Sequence, residues 1–326
     1  MPQGSLENLV AMYQSRFRAS PDKPNETAEA TLRALWLCAA GIAASAEQAM
    51  NLELPSLKVE QQQKLEKLLE LREQGTPLAY LTGRQRFMGL EFICSNQALI
   101  PRKETEILGA AACNLLTQEI LPAGGQMKVL DLCTGSGNLA CAVAKHAPSS
   151  AVFGVDLSSE AIRLAGINAL QLGCGDRVKF FCGDLFGPLE SEEFYESFDL
   201  IVCNPPYITT FKLASMSGEI VAHEPKMAFD GGPLGVAVLW RLLHDIPRFL
   251  KPRGWFAFEV GAGQGDAIVR RLLRNPRFAK VTGRHDGAGN VRAIVGQFLN
   301  VNGSNDPEGS HEPVSYKAAR GAATDE

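Results

Sequence analysis

Phe198-Asp199-Leu200-Ile201-Val202-Cys203-Asn204-Pro205-Pro206-Tyr207 runs from a strand straight into a rigid turn. Leu200, Ile201, Val202 and Cys203 are all apolar, without the alternation of a strand wetted on one face. A strand of that kind is buried on both faces, as in a parallel sheet covered by helices. The segments on either side agree with this. Short apolar runs at 129–132, 151–155, 178–182 and 255–260 predict strands, and helical patterns fall between them at 138–146, 158–170, 236–250 and 264–273. Ser158 is placed to cap the second of these helices. Residues 278–282 and 291–298 read as a closing hairpin pair. Repeated β-α-β units predict an α/β fold with a mostly parallel, doubly wound sheet over residues 105–299.

Residues 1–75 have a different texture, that of helices only. Residues 31–44 are rich in Ala and Leu, and 60–74 is a strong helix former with Leu65, Leu68 and Leu69 on one face. Gly75 followed by Pro77 is a stop signal. Residues 76–104 form a bridge in which Tyr80-Leu81 and residues 90–94 read as short strands or a hairpin around Gly83 and Gly89. From residue 300 the chain shifts to Gly, Ser, Asn, Glu and Ala, so 300–326 is expected to be a disordered tail.

The 326 residues carry 32 Lys plus Arg against 36 Asp plus Glu, a net charge of −4, which disfavours a protein that mainly grips phosphate backbones. Eight cysteines include no C-x-x-C pair and only five histidines accompany them, so a zinc site is not expected. Most of the cysteines lie in apolar runs, which suits reduced, buried thiols in the cytoplasm. No apolar run is long enough to span a bilayer, and the N-terminal residues lack a signal-peptide pattern.

Three acidic or glycine-rich points follow the predicted strands. Asp131-Leu132-Cys133-Thr134-Gly135-Ser136-Gly137 closes the first strand and opens a helix. Glycines there admit a ligand to the backbone, and the helix start offers N–H donors, although such turns also serve as plain connectors. Asp156 ends the next strand, 19 positions on from Gly137 (156 − 137 = 19), the spacing at which a carboxylate can accept both hydrogen bonds of a ribose diol. Gly183-Asp184-Leu185-Phe186 follows the third strand, where Asp184 could accept from an adenine amine and Leu185 form an apolar wall; a simple turn is the alternative.

Asn204-Pro205-Pro206-Tyr207 carries the chemistry. The prolines fix the backbone and remove two N–H donors, so carbonyls are presented rigidly. An –NH2 group has two donors. The Asn204 side-chain oxygen and the Pro205 carbonyl can take one each, and Tyr207 offers a ring for a planar group to rest on. Such a site orients a planar amine or amide nitrogen.

Asn-Pro-Pro-Tyr after the fourth strand, with a glycine turn after the first, resembles the class I S-adenosylmethionine-dependent N-methyltransferases. Further segments narrow the likeness: Pro77-Leu78-Ala79-Tyr80-Leu81-Thr82-Gly83, Phe87-Met88-Gly89-Leu90-Glu91-Phe92, Leu99-Ile100-Pro101-Arg102-Lys103-Glu104-Thr105-Glu106, Glu224-Pro225-Lys226-Met227-Ala228-Phe229-Asp230-Gly231-Gly232, the segment Gly254 to Gly261, and Asp286-Gly287-Ala288-Gly289-Asn290-Val291-Arg292. Together they resemble the HemK family, the release-factor glutamine N5-methyltransferases, over residues 60–298. The resemblance implies a Rossmann-like seven-stranded sheet with a small N-terminal helical domain that recognises the partner. It implies S-adenosylmethionine held by Cys133, Thr134, Gly135, Ser136 and Gly137, with Asp156 on the ribose, Asp184 and Leu185 at the adenine, and Thr105 and Asn204 lining the pocket. It implies that Asn204, Pro205, Pro206 and Tyr207 hold the glutamine of a Gly-Gly-Gln loop in a class 1 peptide release factor. Family members often carry Gly where Cys133 stands.

Four other readings share parts of this pattern. Glutamine methylation of a ribosomal protein, or of a small-molecule amide, would use the same residues. Adenine N6-methylation of nucleic acid uses a similar Pro-Pro-Tyr turn, but needs base flipping and a basic recognition region that this chain lacks. A binding protein without catalysis would show a damaged donor turn or damaged Asn-Pro-Pro-Tyr, and both are intact.

Overall fold

The computed structural model describes residues 6–14, 17, 23–121, 125–213, 223–225, 228–233 and 235–299. The expected tail at 300–326, and Lys226 and Met227 of the quoted motif, lie outside the described residues.

The helical layer comprises α1 (Leu6–Gln14), α2 (Ala28–Ala39), α3 (Ala46–Ala49) and α4 (Val59–Glu73). Thr27 caps α2 by accepting from the Ala30 N–H, and Ser45 caps α3 by accepting from the Gln48 N–H. Helices α2 and α4 share a core of Ala34, Leu35, Leu37, Leu65 and Leu68, and Tyr13 of α1 packs with Ala28 and Leu32 of α2. Helix α2 is shorter than the sequence pattern predicts, because the chain turns at Gly41 with φ +91°.

The bridge corrects one expectation. Tyr80-Leu81 is not a strand but the middle of a short helix, α5 (Leu78–Thr82), which starts after Pro77 and ends at Gly83 with φ +68°. The hairpin follows it: β1 (Arg84–Phe87) and β2 (Leu90–Ile93) pair antiparallel around Met88-Gly89. Both turn residues have positive φ, as a two-residue hairpin of this twist requires. The hairpin is pinned on two sides. Glu91 accepts from the Ser45 hydroxyl of the helical layer. Asn168 accepts from the Ile93 N–H and donates to its carbonyl.

The rest is one seven-stranded sheet. Its strands are β3 (Met127–Leu132), β4 (Ser150–Asp156), β5 (Val178–Cys182), β6 (Phe198–Cys203), β7 (Leu250–Glu259), β8 (Phe278–His285) and β9 (Val291–Phe298). The order is β5-β4-β3-β6-β7-β9-β8, with β9 antiparallel to both of its neighbours. Helices α6 (Thr105–Leu115), α7 (Asn138–His146) and α8 (Ser159–Gln171) cover one face. Helices α10 (Ala237–Phe249) and α11 (Gly265–Leu273) cover the other, and a short α9 (Thr210–Leu213) follows the Asn-Pro-Pro-Tyr turn.

Strand β6 shows why an unbroken apolar run was needed. Leu200 and Val202 enter one core, and Ile201 and Cys203 enter the other. The sheet is therefore buried on both sides. Strand β3 lies between β4 and β6, so the chain order reverses there, and a crevice opens at the carboxyl ends of these strands.

Candidate active site

A cavity of about 460 Å³ occupies that crevice, within the size range of small-molecule sites. Of the residues singled out from sequence, Thr105, Cys133, Thr134, Gly135, Ser136, Asp156, Asp184, Leu185, Asn204 and Pro206 line it. Gly137, Pro205 and Tyr207 are not among its lining residues, although each is next in the chain to one that is.

The turn after β3 is built around two carboxylates. Asp131 is fully buried, and its Oδ2 accepts from the Thr134 hydroxyl at 2.6 Å and from the Ala140 N–H at 3.1 Å. Burial pushes its pKa up to about 7, against the pull of these hydrogen bonds. Asp156 accepts from the Gly135 N–H at 2.8 Å and from the Ser158 N–H at 2.9 Å, so β4 fixes the shape of the turn that follows β3. Burial also raises the Asp156 pKa, while the backbone N–H groups lower it. Asp156 thus shapes the cradle as well as facing the cavity.

Gly137 opens α7 with φ +76°, and a Cβ there would lie 2.9 Å from the Ala165 Cβ and 3.1 Å from Phe180. Only glycine lets the helix start come down onto α8. Cys133 and Leu185 are non-glycine residues at positive φ, +58° and +46° respectively, and both line the cavity. Strained backbone of this kind gathers at binding sites. Asp184 is half exposed and accepts from Arg241 at 2.7 Å, so its carboxylate is shared with a cation across the cavity mouth.

The Asn-Pro-Pro-Tyr turn is held from behind. Asn204 donates through Nδ2 to the Thr105 hydroxyl at 3.2 Å. Neither the Asn204 Oδ1 nor the Pro205 carbonyl has a hydrogen-bond partner among the described residues. The Tyr207 hydroxyl donates to Glu259 Oε1 at 2.9 Å, and the Tyr207 carbonyl accepts from Gln264 at 3.1 Å. Gly231 and Gly235 pack directly on the turn: a Cβ on Gly231 would sit 2.6 Å from the Pro206 carbonyl oxygen, and one on Gly235 would run into that of Tyr207. A buried ion pair straps the cavity edge. Arg102 meets Glu224, which also accepts from the Ile100 N–H at 3.2 Å.

The donor set suits S-adenosylmethionine. Gly135 gives backbone access, Asp156 offers acceptor oxygens facing the cavity, and Ser136 Oγ is buried with no partner among the described residues. Leu185 supplies an apolar wall. Fold and site define a class I S-adenosylmethionine-dependent methyltransferase.

A methyltransferase-domain family model matches residues 124–274. A release factor glutamine methyltransferase from Gloeobacter violaceus is 36% identical over 223 residues, 68% of this chain and 75% of that one. Those of Geobacter sulfurreducens and Bacillus subtilis are 38% and 35% identical, covering 64% and 69% of this chain and 68% and 77% of theirs. The chain belongs to the release factor glutamine methyltransferase family. Among solved structures, the METTL16 catalytic domain in complex with a MAT2A 3'UTR hairpin covers 71% of this chain and 81% of its own at 15% identity and TM-score 0.49, a likeness that bears on neither substrate nor site.

Asp131, Glu224 and Glu259 were not singled out from sequence as site residues. Glu259 had a signal: an acid ending an otherwise apolar strand, which a core tolerates only where it is partnered. All three lay in quoted segments without a role assigned to them, and the partner of Glu224, Arg102, is 122 residues away in the chain.

Proposed function

We propose that this chain transfers a methyl group from S-adenosylmethionine to the side-chain amide nitrogen (N5) of the glutamine in a Gly-Gly-Gln loop of a peptide chain release factor. The observation that carries this is the pair of open acceptors, Asn204 Oδ1 and the Pro205 carbonyl, on adjacent residues of the turn whose Asn204 and Pro206 line the cavity. They match the two donors of a carboxamide –NH2.

An amide nitrogen is a poor nucleophile because its lone pair is delocalised into the carbonyl. Holding both N–H groups favours a geometry in which the lone pair faces the methyl group. S-adenosylmethionine, when bound, supplies that methyl on a sulfonium, open to in-line displacement. Asn204 and Pro205 orient the nitrogen, Tyr207 supports the amide plane, and the acceptor carbonyls stabilise the positive charge that grows on nitrogen. Alkylation makes the nitrogen acidic enough to release its proton to water, so no side-chain base is assigned.

Thr134, Gly135, Ser136 and Asp156 are assigned to the donor, with Asp184 and Leu185 at its adenine. Residues 1–75 are assigned to partner recognition, 76–104 to the bridge and 105–299 to methyl transfer. No described helix is long and apolar enough to cross a membrane. Release factors work in the cytoplasm, which is the location proposed here.

Asp156→Ala should raise the donor dissociation constant by about ten- to hundredfold, since hydrogen bonds to a charged acceptor contribute roughly 1.5–3 kcal/mol each. Titration calorimetry checks this, and an unchanged constant would count against the ribose contact. The substrate is tested by offering tritiated donor with equal amounts of release factor, ribosomal protein and duplex DNA. Label should enter the release factor. Label entering only ribosomal protein or DNA would replace this reading with the corresponding alternative.

A further inference from the structure

The buried carboxylate of Glu259 has no role in the mechanism above, yet it holds Tyr207, which does, and lies beside Thr105, which holds Asn204. It ends β7, is 1% exposed, and receives the Tyr207 hydroxyl at 2.9 Å. The Thr105 hydroxyl lies beside this carboxylate, close enough to pull its pKa down. Thr105 is itself 1% exposed and accepts from Asn204 Nδ2 at 3.2 Å. Glu259 Oε2 is buried with no hydrogen-bond partner among the described residues, an acceptor left open for the Thr105 proton. Asn204–Thr105 and Tyr207–Glu259 are thus two hydrogen bonds that each start on the acceptor-binding turn, and the Thr105 proton given to the open Glu259 oxygen joins them into one chain.

A hydroxyl has one proton to give. If Thr105 donates it to Glu259, its oxygen can only accept from Asn204, so the Asn204 amide must present –NH2 to Thr105 and its oxygen to the cavity. An ionised carboxylate enforces this direction because it only accepts. We propose that Glu259 is a positioning residue for methyl transfer: through Thr105 it sets which end of the Asn204 amide faces the incoming glutamine, and through Tyr207 it fixes the ring beside it. This rests on the functional reading above. A reversed Asn204 would point –NH2 at the –NH2 of the substrate, donor against donor.

The groups facing Glu259 are the Thr105 and Tyr207 hydroxyls, Arg292 and Glu104, the last two paired at 3.7 Å. Burial raises the Glu259 pKa to about 7, while Thr105, Tyr207 and Arg292 pull it down. Above that pH the carboxylate is acceptor-only. Below it a carboxyl proton can be donated to Thr105, and the direction of the chain is lost. Turnover at saturating donor should therefore fall on the acid side through a step near pH 7. Asp131 titrates in the same range but acts on the donor turn, so saturating donor removes its contribution.

The test is steady-state methylation of purified release factor across pH by the full chain and by Glu259→Gln, Thr105→Val and Thr105→Ser, with donor affinity and melting temperature measured for each. Gln keeps the shape of Glu259 but offers a donor. We expect Glu259→Gln and Thr105→Val to lower kcat on the order of ten- to hundredfold. In Glu259→Gln donor affinity should stay within about twofold and the acid-side step should vanish, and Thr105→Ser should retain turnover. If Glu259→Gln fails to fold, Thr105→Val against Thr105→Ser decides the matter. A wild type that methylates the release factor, with Glu259→Gln matching it at every pH, overturns this inference alone. A wild type that methylates no release-factor glutamine overturns the functional reading beneath it.

Discussion

Asn204→Ala should lower kcat for glutamine methylation by about 10²–10³-fold, the loss seen when one preorganised polar group is removed from a reacting centre. Donor affinity should change little. The Asn204 oxygen is open toward the cavity and its nitrogen is bonded to Thr105, so the side chain is held for an acceptor rather than used in the donor turn. Alanine removes one of two hydrogen-bond acceptors for the substrate –NH2 and leaves the Pro205 carbonyl to hold it alone. A singly held amide rotates, and the in-line geometry is populated less often. Stopped-time assays with purified release factor, together with calorimetry of the donor, separate the two quantities. Near-normal turnover would refute the role given to Asn204.

The second large effect concerns stability. Arg102→Met should destabilise the cavity edge by about 3–5 kcal/mol, because it leaves the Glu224 carboxylate buried without its cation. Both side chains are sequestered, at 9% and 0% exposure, and the Glu224 carboxylate also holds the Ile100 N–H. The loss should appear as a lower melting temperature and as faster hydrogen exchange at Ile100. Arg102→Met combined with Glu224→Gln should recover much of it, since the pair then holds no uncompensated charge. A single variant that melts with the wild type would show that the strap contributes nothing to the fold.

The sheet was legible in the sequence because its signals are local. Four apolar residues at 200–203 without alternation, stopped at once by Asn204-Pro205-Pro206, read as a short doubly buried strand, and the Ser158 cap falls where the helix begins. The bridge was less legible. Tyr80 and Leu81 have strand-like side chains, but Pro77 and Gly83 bracket a single helical turn, and bracketing residues outweigh propensity over so short a span. Helix α6 escaped the reading as well, since its register is set by packing on the sheet.

The cavity lining was largely legible, because the glycine turn, Asp156 and Asn-Pro-Pro-Tyr each sit at a strand end, and a parallel sheet gathers its strand ends. The support behind that lining was not. Glu259 reaches Tyr207 across 52 residues, and Thr105 reaches Asn204 across 99. No spacing rule covers pairs that only the closed sheet brings together. The pairing of Asp184 with Arg241 is of the same kind.

The most direct test of the central claim is tandem mass spectrometry of release factor incubated with this protein and S-adenosylmethionine. The account predicts one added methyl group, located on the side-chain nitrogen of the Gly-Gly-Gln glutamine and absent when Asn204→Ala replaces the wild type. A methyl group on any other residue, or none on the release factor while the donor still binds, would contradict it.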